Sequence, residues 1–309
     1  MKRKHRPGNK FQVLTVTALM AGSFGMSAQA DAATNVAPET PPIHIQQEAW
    51  GMRDGAPAVR QDYEEAAAVC RKAGAALDFT PLSSDTIARL GHTYYDIWYE
   101  GSNMSIHSVS WGFKMGPSGT KQCHFTAVRS EREAIANAHG AYSINLDDGT
   151  VVRDPAYRVV RNAAPAGNQA QETKAQNEEA AVMAELRKQG YGGIADQAQT
   201  TTSQTTIAGQ PCLMTKRVDG GSACFWSGGA KWGFKDEGSI DDIGYISGYD
   251  PDLTHVDEVQ LPGAEIPLSS RPSDGVGTQL VTNQMTVGQN PDADPFKVPD
   301  GLQSNTSIR

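Results

Sequence analysis

The sequence predicts an α+β fold: a curved antiparallel β-sheet with one long helix and a short N-terminal one. Three observations predict it. Runs of aromatic and β-branched residues, separated by Asp-Gly and other glycine-containing turns, recur along much of the chain. Between residues 168 and 189 the composition turns to Ala, Glu and Gln, the mixture that favours a helix. Tyr63, Ala67, Cys70 and Ala73 recur at spacings of four, three and three, which marks one face of a shorter helix.

The first thirty residues stand apart. Lys2, Arg3, Lys4, Arg6 and Lys10 precede an apolar stretch from Phe11 to Gly22, and no acidic residue occurs before Asp31. A charged start, a short apolar run and the small-x-small pattern Ala28-Gln29-Ala30 form an export signal over residues 1–30, cut before Asp31. The run is shorter than the roughly 20 apolar residues that cross a bilayer, so no membrane span is expected. Five of the 27 basic residues leave with the signal and none of the 35 acidic ones, so the remainder carries −13. Such a surface repels phosphate backbones, and nucleic acid is excluded as a partner.

Residues 31–60 are rich in Ala, Pro and Thr and read as an irregular lead-in, followed by one α+β domain over residues 61–301, either single or in two packed halves. In that domain Asp62 and Glu65 resemble a capping box, with Gly74 as a C-terminal stop. Ser83-Ser84-Asp85 starts a second short helix ending near Gly91. From His92 the strands begin: Tyr94 to Tyr99, Met104 to Phe113, Lys121 to Arg129, Tyr142 to Leu146 and Thr150 to Val152. After the long helix come Thr205 to Gly209, a hairpin through Phe225-Trp226, and a last strand from Thr278 to Val287. Residues 302–309 read as a loose tail. Trp-Gly-Phe-Lys occurs at 111–114 and 232–235, a recurring strand-end pattern rather than an established repeat.

Four cysteines and an export signal imply two disulfides. Cys212 and Cys224 flank Asp219-Gly220-Gly221, residues that accept positive φ in a hairpin turn, so these two are expected to pair. That leaves Cys70 with Cys123. An Asp219-Gly220 turn would set Cys212 opposite Ser227, so the loop must centre on Val218 or contain a bulge.

Catalytic signatures are missing. No Gly-x-Ser-x-Gly elbow, phosphate loop or His-Glu-x-x-His occurs, and His44, His92, His107, His124, His139 and His255 are scattered singly. No cofactor and no metal is expected. The acidic stretch from Asp236 to Glu258 lacks the ligand spacing of a calcium loop and reads as a solvated segment. Tyr94, Trp98, Trp111, Trp226 and Trp232 lie in strand-like segments. They are the candidate ligand-binding residues if they line one concave sheet face, and ordinary core if they do not.

The pattern Tyr-x-Ile-Trp-Tyr-x-Gly-x-x-Met at 95–104, Tyr142-Ser-Ile-Asn-Leu-Asp-Asp-Gly149, a helix, Ile207-Ala-Gly-x-x-Cys212, Leu280-Val-Thr282 and Asp294-Pro-Phe-Lys-Val-Pro299 resembles the LolA-like periplasmic half-barrels. The resemblance spans roughly residues 90–300. It implies an antiparallel sheet curled around a helix, with acyl chains bound in the cavity. The disulfide hairpin and the acidic segment depart from those carriers, so no ligand residue is carried over. The expected function is that of an exported, non-enzymatic envelope protein, periplasmic or secreted, which binds an apolar or amphipathic ligand such as a lipid or an acylated partner. The alternatives are a module that binds another exported protein and a hydrolase with an unrecognised site.

Overall fold

A computed structural model describes residues 39–73, 78–116, 122–154, 200–217, 220–235, 265–273 and 275–304. They belong to one compact unit. The export signal, the long helix and the acidic stretch of the sequence analysis lie outside the described residues.

In chain order the elements are β1 (Ile43–Arg53), β2 (Ala56–Pro57), α1 (Ala58–Lys72), β3 (Asp78–Thr80), α2 (Ser84–Arg89), β4 (His92–Glu100), β5 (Asn103–Met115), β6 (Gln122–Asn137), β7 (Gly140–Asn145) and β8 (Thr150–Asp154). Then follow β9 (Thr200–Ile207), β10 (Gln210–Arg217), β11 (Ser222–Trp226), β12 (Pro267–Arg271), β13 (Gly277–Val287) and β14 (Gln303–Ser304). They form a large, curved, open sheet in the order β14-β8-β7-β6-β5-β4-β1-β13-β12-β11-β10-β9, with β2 on β1 and β3 on β6. Pairing is antiparallel except at β14–β8 and β3–β6, so the sheet is mixed where a purely antiparallel one was expected.

The lead-in reading fails at β1. Ile43–Arg53 is a central strand, held by β4 on one side and β13 on the other. Its buried positions alternate as Ile43, Ile45, Gln47 and Ala49, the period-2 signature of a strand. Pro41-Pro42 just before it and Gln47 within it masked that period. The Gln47 amide is buried but satisfied, donating to Pro267 O at 2.6 Å and Thr282 Oγ1 at 3.0 Å. β12 also escaped notice, because Pro267-Leu-Ser-Ser-Arg has little strand character; its proline sits at the first position, where a missing N–H is tolerated. The tail reading is corrected at Gln303–Ser304, which pair with Thr150–Val151.

The main core lies on one face. Ile43, Ile45, Ala49, Tyr95, Ile97, Leu280 and Met285 pack with Cys212, Cys224, Trp226, Phe234, Ile266 and Leu268. A second cluster joins α1 to the sheet through Tyr63, Ala67, Cys70, Leu90, Cys123 and Phe125. The Tyr63 ring stands edge-on to Phe113 and Phe125 at 5.6 and 5.1 Å, and its hydroxyl accepts from Leu82 N–H. Of the helical face predicted from Tyr63, Ala67, Cys70 and Ala73, the first three are buried, while Ala73 is the exposed C-cap after the helix has ended at Lys72. The helix starts earlier than the capping box suggested. Pro57 sets its entry, and Asp62 and Glu65 bind Arg53 at 2.6 and 3.2 Å instead of capping. Ser83 caps α2 as expected, accepting from Thr86 N–H.

Both disulfides form as paired in the sequence, Cys70–Cys123 and Cys212–Cys224, with Cα separations of 6.0 and 5.6 Å. The hairpin differs from the facing arrangement expected. Cys212 lies opposite Trp226 and Met214 opposite Cys224, so the bridge runs diagonally between same-face neighbours two places apart. The two Trp-Gly-Phe-Lys copies differ in structure: the first lies in β5, the second ends a 3₁₀ turn at Gly233 with φ +92°.

Candidate functional site

The face of the sheet opposite the main core carries the site. Side chains alternate along a strand, and directly opposed residues share a face. In β1 the positions not turned to the core are His44, Gln46, Glu48 and Trp50, and the register sets them against Trp98, Asp96, Tyr94 and His92 of β4. The same register continues through β5 and β6. Tyr94 faces Val109 and then Glu131, Asp96 faces His107 and then Glu133, and Trp98 faces Ser105 and then Ile135. Trp111 faces Arg129, and its carbonyl accepts from Gly91 N–H beside His92. The result is four cross-strand rows, each four side chains wide.

The imidazoles and carboxylates of these rows are joined. His44 Nε2 donates to both Asp96 oxygens at 3.0 and 3.1 Å, and Asp96 also accepts from Gln46 and from Trp98 Nε1. His92 Nδ1 donates to Glu48 at 2.6 Å, and His107 Nε2 to Glu131 at 2.8 Å. The aromatic rings stand against the imidazoles. His44 stacks on Trp98 with centroids 4.1 Å apart and planes within 7°, and Trp50 stacks on His92 at 4.8 Å. The Arg89 guanidinium lies over Trp111, 5.3 Å from the ring centroid. Tyr94 and Val281, the β13 neighbour of Glu48, remain exposed.

Two neighbouring carboxyls are pushed in opposite directions. Hydrogen bonds from Arg129 and His107 hold Glu131 below the usual carboxylate range. Burial raises Glu133, against the opposing pull of His107 and of the Ser105 hydroxyl. Burial also raises the Tyr94 phenol, reinforced by Glu48.

At the end of the Trp50 row a cleft of about 830 Å³ is lined by Met52, Asp54, Gly55, Arg271, Gly275 and Gln279 among others. Gln279 is the β13 partner of Trp50, so the cleft adjoins the face.

The five aromatic residues singled out from the sequence divide. Tyr94, Trp98 and Trp111 share the row-bearing face. Trp226, 1% exposed, lies in the core cluster on the other side, with Trp232 stacked on it at 5.8 Å. Sequence reasoning missed His44, Glu48, Trp50, His92, Asp96, His107, Glu131 and Glu133. Their signal was alternation: His44-x-Gln46-x-Glu48-x-Trp50, His92-x-Tyr94-x-Asp96-x-Trp98 and Arg129-x-Glu131-x-Glu133 each read as the polar side of a strand. Each imidazole meets a carboxylate and an indole distant in sequence, His44 with Asp96 and Trp98 and His92 with Glu48 and Trp50, because β1 and β4 are sheet neighbours. Among the described residues, no three His, Cys, Asp or Glu side chains are placed to hold a metal ion, and no helix is long and apolar enough to cross a membrane. No protein-family model matches the chain, and a search of curated proteins finds no match.

Proposed function

We propose that the chain is an exported, non-enzymatic binding protein of the cell envelope, and that its ligand is amphipathic and lies across the Tyr94–Trp98–Trp111 face. The observation that carries this reading is the meeting of half-exposed indole and phenol rings with hydrogen-bonding imidazole, carboxylate and amide groups on one face of an open sheet. Rings contribute apolar contact, and planar polar groups fix orientation. The opposite face is less suited, since Ile43, Leu268 and Leu280 are fully buried there and its side chains pack against one another. A purely apolar chain would desolvate the imidazole–carboxylate pairs without replacing their water, which disfavours it against a ligand with a polar part. The resemblance to LolA-like half-barrels points toward lipid or acylated ligands, and the two disulfides suit an oxidising compartment.

Intrinsic tryptophan fluorescence, titrated with lauric acid and with dodecyl maltoside below their micelle concentrations, tests the reading. A saturable change that Trp98→Ala and Tyr94→Ala weaken, with melting temperature retained, supports it. No saturable change with either amphiphile refutes it.

One observation favours the hydrolase as a second reading: Glu131 and Glu133, with opposite pKa directions, flank His107 as a carboxyl acid–base pair would. Turnover of a nitrophenyl ester or glycoside that disappears in Glu133→Gln would establish it.

A further inference from the structure

β9 lies at one end of the sheet. It pairs with β10 over its whole length without a register shift, and among the described residues no strand lies on its other edge. Residues 201–206 are all exposed, so side chains on both faces of the strand stand in solvent. Fixing a residue's backbone costs roughly 1–2 kcal/mol, and β9 offsets this with one ladder of hydrogen bonds and the partial burial of Ile207. The other end of the sheet is finished differently, by the two-residue strand β14.

Free edges are ordinarily blunted by charge, proline, a bulge or shortness. β9 has none of these. Its sequence is Thr-Thr-Thr-Ser-Gln-Thr-Thr-Ile, and no charged residue occurs from Gln197 to Thr215 in a chain of which 20% is charged. Threonine suits a pleated strand with both faces wet, because its branched Cβ favours extended backbone while its hydroxyl stays hydrated.

We propose that β9 is the surface through which two copies of this chain associate, antiparallel about a two-fold axis normal to the sheet, so that two open sheets run into one. Self-pairing requires a strand that tolerates its own reverse. Centred on Ser203, β9 sets Thr201 against Thr205 and Thr200 against Thr206; centred on Gln204, it sets Thr202 against Thr206 and Ser203 against Thr205. Threonine pairs across strands are favourable, and neither register opposes like charges. Charge also selects the second copy as the occupant. With a net charge of −8 the chains repel one another, and an uncharged strand is where identical acidic molecules meet at least cost. The contact is isologous, so it closes at a dimer and consumes both edges.

Sedimentation velocity of the purified chain from low to high micromolar concentration tests this, together with amide hydrogen exchange. The expected result is a concentration-dependent doubling of mass, with the β9 amides slowing as the dimer fills. Ser203→Lys combined with Thr205→Lys places ammonium groups across the axis and should weaken association about tenfold or more while leaving the melting temperature unchanged. A monomer throughout the range overturns the proposal, as does a dimer that the lysines leave equally strong. If the lysine variant fails to fold, the wild-type exchange data still decide: β9 amides indifferent to concentration overturn the proposal. Co-purification of a monomer with a different exported protein on β9 would overturn the choice of occupant.

Discussion

Removing one disulfide at a time asks which of two physical effects governs this fold. Cys70→Ala with Cys123→Ala opens a loop whose ends are 53 residues apart, and Cys212→Ala with Cys224→Ala one of 12. In the chain-entropy account the longer cross-link restricts the unfolded ensemble by about 4 kcal/mol and the shorter by about 3 kcal/mol. Each double substitution removes the same two sulfur atoms from a buried position, since Cys70, Cys123, Cys212 and Cys224 are all 7% exposed or less. The void terms therefore cancel to first order, leaving a difference of about 1 kcal/mol against the Cys70–Cys123 variant. Urea unfolding under non-reducing conditions, with the slope fitted freely because each opened loop enlarges the denatured chain, measures both losses. The Cys212–Cys224 bridge, however, lies among the fully buried side chains of the main core, where collapse around a void is most restricted. If its loss costs as much as that of Cys70–Cys123 or more, loop entropy is the wrong account here and core packing governs.

Other expectations follow from the same geometry. Gly275 has φ +74° and a Cβ added to it would meet Gly55 N at 2.6 Å, so Gly275→Ala should destabilise by about 1–2 kcal/mol from the left-handed backbone alone, read as a lowered melting temperature. Glu133 has a raised pKa, so its cost is absent in acid and appears as pH rises through its folded value. Glu133→Gln should therefore raise the melting temperature at neutral pH and leave it unchanged well below the carboxylate range. Glu131 is lowered, so its contribution is present above the unfolded value and lost as pH falls through the folded one. Glu131→Gln should lower the melting temperature at neutral pH only. Protein exported by a bacterial host should begin at Asp31 by N-terminal sequencing, and an intact Met1 would remove the basis for the compartment.

What could be read from the sequence was what local chemistry dictates. The strands from β4 to β8 announced themselves by aromatic and β-branched runs between glycine-containing turns, α1 by three of the four positions expected on its inner face, and both bridges by cysteine arithmetic. What could not be read depends on which strands become neighbours. β1 was lost because Gln47 breaks the apolar alternation, a break the fold tolerates only because Pro267 and Thr282, some 220 and 235 residues away, satisfy the amide. The row-bearing face shared that difficulty. His44, Asp96 and Glu131 are ordinary polar positions in their own strands, and only the β1–β4–β5–β6 order makes them one surface. Trp226 shows the converse: a tryptophan in a strand is equally at home in the core, and its strand alone does not say which side it takes.

The position of β1 has a consequence for how the molecule is made. The strand is among the first parts of the domain to be synthesised, yet one of its two ladders waits for β13, near the other end of the chain. Until then, β4 can cover one side of β1 while the other is an open row of amides and carbonyls beside Ile43 and Ile45. Contacts of such sequence span are closed slowly, because the intervening chain must first be ordered. For a polypeptide threaded through a membrane from its N-terminus, β1 would emerge long before its second partner, and a holding factor that binds extended segments would shield it from pairing with the wrong strand.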